Sequence, residues 1–460
     1  MFKIIKDKDY SNQTKSNNLF SNSSFLSVSS KVIHLSSHAL TLLLISNLFS
    51  LEEQGLFFLF HSLISLQIFV ELGMGNVIQN FSSHEVEIIR SATDPKSIKV
   101  KRASDQLGYI FKIGVIWFGC GSILLTFILT FFGSEFISAT NTYYKGWQLI
   151  WIITGLLVSM LVAFQVFWSI IQGCNWVLEY YRFKIFQIFL GNITLWIIIL
   201  ADGKLWSIVG FVGAQVLVAT IYLLIRFRHF FYKLYKQKLK YNKLTWKKDL
   251  LPFQSLIFIS FFSGYLAFNI QVPLTSILFG VEEAGKVGAS WQLVGLISII
   301  SYAFIAPHGP QIAMWAQSKK YFKIKPYIQK ISKTNLLIVV GLSIGLLLSI
   351  SFIKLIKEPS FVFNIIERLG STPQIIFMII GHIAVSATIP LSIYLRAHKK
   401  EPIAHLSLIA GIFTLVGSYY FSIYLGVVGI GLGFMLSQLI VLPFIIFKYK
   451  KYKLNFENKN

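Results

Sequence analysis

The chain is expected to be an all-α polytopic membrane protein of about 12 transmembrane helices in two pseudo-symmetric six-helix lobes, and three observations predict this. Of its 460 residues 55% are hydrophobic and only 13% charged, with mean hydropathy +0.65, more apolar surface than a soluble core absorbs. The apolar stretches are continuous and about 20 residues long, the length of a helix across a bilayer, and they lack the alternation of barrel strands. A motif also recurs: LFSLEEQG at Leu48–Gly55 returns as LFGVEEAG at Leu278–Gly285, 230 positions later, with five of eight residues identical. An acidic turn repeated at fixed offset between apolar helices points to a duplicated bundle.

Spans are expected at 22–49, 54–80, 108–133, 147–172, 183–201, 205–226, 253–279, 287–314, 334–356, 372–396, 402–424 and 427–448. The net charge of +23 raises nucleic acid as a partner, but its distribution argues against one, because Lys and Arg punctuate alternate connections. That is the positive-inside pattern. With both termini cytoplasmic, the outer connections hold only Lys145, Lys204, Lys286, Lys354, Lys357 and Arg368 of the 42 basic residues, and Lys31 and Lys112 fall within spans. The polar stretch Met1–Asn18 reads as a cytoplasmic tail, since the apolar run after it is too long for a signal peptide and lacks a small-residue cleavage site. The most basic connection, Arg226–Lys248, divides the chain into an N-terminal lobe over 1–230, a cytoplasmic linker over 231–252 and a C-terminal lobe over 253–460. Its Lys and Arg side chains suit anionic lipid headgroups. Cys120 and Cys174 lie in or beside apolar segments, with no disulfide framework and no metal spacing.

The first span carries the most unusual chemistry. Ser24, Ser27, Lys31, His34, His38 and Thr41 are spaced 3, 4, 3, 4, 3 and so share one helical stripe, roughly 25 Å long. Exposing an ionisable side chain to lipid costs at least ~2.5 kcal/mol, so such a stripe faces a cavity or a partner. Lys31, His34 and His38 together suit a phosphate; a small-residue helix contact with Lys31 snorkelling inward would use the same spacing. At the matching offset in span seven the stripe reads Gln254, Ile257, Phe261, Gly264, Phe268 and Gln271, so the repeat keeps the helix and discards its charge. Tyr265, Asn269 and Gln271 are the candidate sugar-binding residues there, and Pro273 is expected to loosen the helix. A cavity cationic on one side and aromatic on the other fits an amphiphile with an anionic head better than a small cation.

Glu71 and His382 are the candidates for ion coupling, because a carboxylate or an imidazole can change charge inside a cavity. Glu71 and Lys112 both lie toward the cytoplasmic ends of their spans and are placed to pair. No GxSxG, HExxH, Walker A or Rossmann pattern occurs in a suitable context, so no catalytic site, cofactor or metal is expected and ATP has no binding motif. A glycan polymerase would need a substantial outer loop, whereas the longest outer connections, near Gly133–Gly146 and Lys357–Thr372, are about 15 residues.

The segment Leu48–Glu85, LFSLEEQGLFFLFHSLISLQIFVELGMGNVIQNFSSHE, resembles the first hairpin of Wzx-type polysaccharide flippases. QGCNWVLEYYRFKIFQ after span four and PLTSILFGVEEAGKVGASWQLVGLISII at Pro273–Ile300 are similar to the corresponding regions of that family. The family belongs to the multidrug/oligosaccharidyl-lipid/polysaccharide exporter superfamily, so the resemblance implies a MATE-like alternating-access carrier in the bacterial inner membrane. The implied substrate is a polyprenyl-diphosphate-linked oligosaccharide repeat unit for O-antigen or capsule synthesis. Expected partners are membrane lipids, a polysaccharide polymerase and a chain-length regulator, with the carrier itself a monomer. A cation-coupled drug antiporter of the same superfamily is the runner-up, and a membrane glycan polymerase the third reading.

Overall fold

The computed structural model describes residues 23–457 except 95, 141, 306–307, 310, 313–314, 316–320, 357–362 and 398–402. The described residues form helices and connections with no strand. In chain order the helices are α1 (Ser23–Leu48), α2 (Leu51–Ile64), α3 (Met74–Ser91), α4 (Ile98–Phe127), α5 (Trp147–Gly173), α6 (Val177–Leu200), α7 (Trp206–Tyr222), α8 (Leu251–Phe268), α9 (Gln271–Phe279), α10 (Val281–Ile305), α11 (Tyr321–Ile356), α12 (Phe363–Glu367), α13 (Thr372–Ala397), α14 (Ala404–Leu425) and α15 (Val428–Glu457). Short helical turns carry α2 on to Glu71, α4 to Ser138 and α7 to Tyr235. Among the described residues ten helices are long and apolar enough to cross a membrane, and the bent pair α8–α9 makes eleven. α1 adds 26 residues of helix bearing the polar stripe.

Local chemistry accounts for the breaks. The acidic turn that opens α2 is a capping box: the Glu53 backbone N–H donates to Ser50 Oγ at 3.1 Å, while the Ser50 N–H donates to Glu53 Oε2 at 2.7 Å. Span two stops at Glu71 because Leu72 and Gly73 turn left-handed, with φ of 46° and 72°. A Cβ at Gly73 would press on the Ile257 side chain, so this turn needs glycine. Pro273 acts as expected. A proline ring excludes the carbonyl four residues back, here that of Asn269, and the axis bends by 40° between α8 and α9. The displaced Asn269 carbonyl instead accepts from the Ser62 hydroxyl.

By packing, the chain forms two compact units. Unit 1 contains α1 up to Ser37, Ile64–Ser138 and Lys145–Phe261. Its core is aromatic: Trp168 stacks on Phe183 with ring centroids 3.7 Å apart, and Phe111, Phe167 and Phe231 form a second cluster. Unit 2 contains His38–Leu63, Ala139–Tyr144 and Phe262–Asn460, so the second half of α1 and α2 up to Leu63 pack with the C-terminal helices. Its α14–α15 interface relies on small residues and hydroxyls, with Gly417 against Gly433 and Thr414 Oγ1 2.6 Å from Ser437 Oγ. Such residues let helix backbones approach where no hydrophobic drive operates between helices in lipid.

The repeated motif has a direct packing role within unit 2. α2 and α10 cross at its two matched glycines: a Cβ on Gly285 would lie 2.8 Å from the Gly55 nitrogen, and one on Gly55 would overlap the Val281 carbonyl oxygen. Gln54 Nε2 donates to the Gly285 carbonyl at 3.0 Å and to the Arg368 carbonyl at 3.1 Å. Glu52 Oε1 accepts from Thr142 Oγ1 at 2.6 Å and from the backbone N–H groups of Tyr143 and Tyr144. The Arg368 guanidinium donates to the Phe49 carbonyl at 2.7 Å. Helix ends carrying the acidic turns are thus closed over by backbone contact and a continuous set of hydrogen bonds.

The basic connection is ordered rather than a loose tether. Phe230, Phe231 and Leu234 are buried, which keeps the segment helical to Tyr235. Beyond it the chain lies along one face of α4: Asp105 accepts from Gln237 Nε2 at 2.8 Å and from the Tyr241 N–H at 2.7 Å, and Tyr109 Oη accepts from the Trp246 N–H. Lys112 does not pair with Glu71. Its ammonium donates to the Gln237 carbonyl at 2.9 Å, since α4 turns that face toward the connection.

Glu85 on α3 lies outside the candidate spans yet is only 8% exposed, and lost hydration pushes its carboxyl up to about 7 against the opposing pull of Arg102. Turned so that its nitrogen faces the carboxylate, the Gln106 amide donates to both Glu85 oxygens at 2.9 and 3.3 Å. Between the ordinary carboxylate range and about 7 the folded protein holds a proton that the unfolded chain has released. Stability from this group is therefore full below the ordinary carboxylate pKa and lost as pH rises through about 7. Glu85→Gln is expected to raise stability by about 1–2 kcal/mol near pH ~8, allowing for solvent screening, and to change it little near pH ~4. Melting temperatures of variant and wild type at the two pH values check this.

Candidate functional site

A polar cavity of about 180 Å³ opens within unit 1. Because span two stops at Leu72–Gly73, its last turn brings Gln67 and Glu71, four residues apart, to one wall. Opposite stand Gln165 from α5, Lys184 and Gln187 from α6, and Gln215 from α7, with Trp168 and Tyr180 as aromatic walls. The Lys184 ammonium donates to Gln187 Oε1 at 3.1 Å, and Gln187 Nε2 donates to the Gln215 carbonyl at 3.3 Å. The Glu71 carboxylate accepts none of the described hydrogen bonds and joins none of the described ion pairs. With one acid, one lysine and four amides, the lining carries no net charge and many hydrogen-bonding groups. Such a surface suits hydroxyl-rich ligands, which are met by amides and aromatic faces rather than by a lone counter-charge.

Glu71 is the one residue of this cavity that the sequence singled out as a functional candidate. The four glutamines were not candidates in the sequence, and each comes from a different helical segment. The available signal was local, in the pairs Gln67–Glu71 and Lys184–Gln187 at helical spacing.

Unit 2 holds a second polar assembly around His382 on α13. Its Nδ1 lies 2.7 Å from Ser298 Oγ, which is 3.5 Å from Ser386 Oγ; Asn335 Nδ2 donates to the Ser386 carbonyl at 3.1 Å, and Ser301 donates to Asn335 Oδ1 at 2.8 Å. Helices α10, α11 and α13 are thereby tied by one hydrogen-bonded chain. His382 is 2% exposed, its Nε2 has no partner among the described residues, and its ring is packed by Phe268, Trp291 and Phe434.

The span-seven candidates lie at the α8–α9 bend. Tyr265 is buried on α8, and its carbonyl accepts from the Asn269 N–H at 2.9 Å. Asn269 is half-buried at the break. Gln271 opens α9 fully buried, with Oε1 accepting from Ser418 Oγ at 3.2 Å and Nε2 unpartnered among the described residues. Phe268, next to Asn269 at the bend, places its ring 6.2 Å from the His382 imidazole. On α1, Lys31, His34 and His38 fall on one face by helical spacing, although the side chains of Lys31 and His34 lie outside the described residues. His38 is half-buried, and its carbonyl accepts from Gln292 Nε2 at 2.9 Å.

No protein-family model matches the chain, and neither does any curated protein. Solved structures do resemble it over nearly its whole length. A multidrug resistance MATE family transporter of the MOP superfamily, in an inward-facing conformation, superposes with TM-score 0.68 and 13% identity, covering 93% of this chain and 96% of that one. The lipid II flippase MurJ, in an inward closed conformation, gives 0.62 and 15%, covering 95% and 89%. A mutant of the Vibrio cholerae MATE transporter VcmN gives 0.58 and 14%, covering 98% of each chain. The fold of this chain is that of the MATE-like membrane transporters.

Proposed function

We propose that this protein is a flippase that moves a polyprenyl-diphosphate-linked oligosaccharide repeat unit across the bacterial inner membrane for surface polysaccharide synthesis, without making or breaking a covalent bond. The observation that carries the reading is the lining of the unit 1 cavity, whose four glutamines, aromatic walls and balanced Glu71 and Lys184 suit a glycan. An organic cation would instead be held by unbalanced acids. The α1 stripe of Lys31, His34 and His38 supplies cationic groups for the diphosphate, and Tyr265, Asn269 and Gln271 supply hydrogen bonds to sugar hydroxyls. The likeness to MurJ supports a lipid-linked substrate. Glu71 and His382 are the ion-coupling candidates, since each is ionisable, lies on a helix long enough to cross a membrane and forms none of the described ion pairs. The polyprenyl tail stays in lipid, because exposing it to a polar path costs about 0.8 kcal/mol per CH₂. The carrier works as a monomer with both termini cytoplasmic, handing its product to a polymerase and chain-length regulator.

The likeness to MATE transporters favours drug antiport as the second reading. Purified protein in liposomes separates the two. Acceleration of a fluorescent lipid-diphosphate disaccharide across the bilayer, with no uptake of ethidium under an imposed proton or sodium gradient, is the expected result. Gradient-driven ethidium movement without lipid translocation would replace flipping by antiport.

A further inference from the structure

A pocket of about 320 Å³ lies on unit 1 where the basic connection folds back onto α4, apart from the cavity and network above. Ile89 and Val100 form its apolar floor, and Lys101, Lys238 and Lys240 stand around it. Asp105 is the only acid in its lining, and both carboxylate oxygens are engaged, one by Gln237 Nε2 and the other by the Tyr241 N–H. That carboxylate shapes the pocket by pinning the connection to the helix. None of the three lysines enters an ion pair among the described residues, and Lys240 lies 5.8 Å from the Tyr241 ring. Three ammonium groups against one acid leave the pocket cationic.

Depth along the bilayer normal follows from helix length. The span that begins at Ile98 runs 41 residues to Ser138, roughly 60 Å of helix against about 30 Å of hydrocarbon. Lys101 and Asp105 occupy its first two turns, ahead of the strongly apolar stretch, and Lys238 and Lys240 belong to the lysine-rich connection. Headgroup phosphates occupy this depth.

We infer that this pocket binds a phosphate group of an anionic membrane lipid on the lysine-rich side of the bilayer. Lysine ammoniums are compact donors suited to the non-bridging oxygens of a phosphodiester, and the apolar floor accepts the glycerol and first methylenes. Two of the lysines come from the connection and one from α4, so a bound phosphate bridges the two and reinforces the clamp made by Asp105. Free phosphate shares the same chemistry, and the site does not depend on what the protein transports.

Native mass spectrometry of the full-length protein in detergent, titrated with dioleoylphosphatidylglycerol, dioleoylphosphatidylcholine or inorganic phosphate, tests the inference. Phosphatidylglycerol should be retained more tightly than phosphatidylcholine. Lys101→Gln/Lys238→Gln/Lys240→Gln should weaken that retention by about a hundredfold, and Lys238→Glu alone should lower it in the same direction. The control Lys243→Gln/Lys247→Gln/Lys248→Gln, which removes equal charge from the same connection outside the pocket, should leave it unchanged. Displacement of phosphatidylglycerol by inorganic phosphate assigns the site to the free anion, and failure to displace it assigns the site to the lipid. Equal retention of both lipids, or equal loss in both triple variants, overturns the inference.

Discussion

Gly285→Val should abolish transport while the protein still inserts and folds. The Gly285 Cα faces the Gly55 backbone, so a Cβ there meets main chain at 2.8–2.9 Å and no rotamer change can relieve the clash. Forcing larger side chains into such a crossing costs typically about 1–3 kcal/mol. Here the cost falls on one local contact, and α2 and α10 should part at the end that carries the acidic turns. Gln54 would then lose its bond to the Gly285 carbonyl, and Phe58, now 7% exposed and packed against Gly288, would be uncovered. A cysteine at position 58 should pass from protected to labelled by an impermeant maleimide when Gly285→Val is added. Unchanged protection together with unchanged activity would show that the crossing does not close this end.

Lys31→Ala should likewise abolish transport, with modest effect on folding, because the α1 stripe loses its permanent charge while the helix can still pack. Lys31→Arg should restore part of the activity, since a guanidinium also binds phosphate. Normal surface glycan in Lys31→Ala cells at native expression would return Lys31 to snorkelling at a helix contact. Partial rescue by arginine separates a need for positive charge from a need for side-chain bulk.

What the sequence made legible, and what it hid, divides along physical lines. Spans were readable because bilayer thickness imposes a length on every apolar run, and the expected 147–172 appears as Trp147–Gly173. Pro273 was readable because its ring acts on a carbonyl at fixed separation, and the bend falls at Asn269. The repeat was visible too, but not its use: nothing in LFSLEEQG and LFGVEEAG says that the two glycines meet. The end of the sixth span was misjudged because Arg226 and Arg228 read as a boundary, whereas burial of Phe227, Phe230 and Phe231 carries the helix to Tyr235. Hardest to see was the glutamine cavity. Gln67, Gln165, Gln187 and Gln215 come from four helices, and only packing shows that they share one space. Lys112 misled for the complementary reason, since its partner is a backbone carbonyl, which carries no residue signature.

The most direct test of the proposed activity is the leaflet in which its substrate accumulates. Cells depleted of this protein should build up completed, unpolymerised repeat units on polyprenyl diphosphate in the cytoplasmic leaflet, protected from glycosidases added to intact spheroplasts, and should lose surface polymer. Accumulation of those units in the outer leaflet, open to the added enzyme, would contradict flipping and place the protein at a step after translocation.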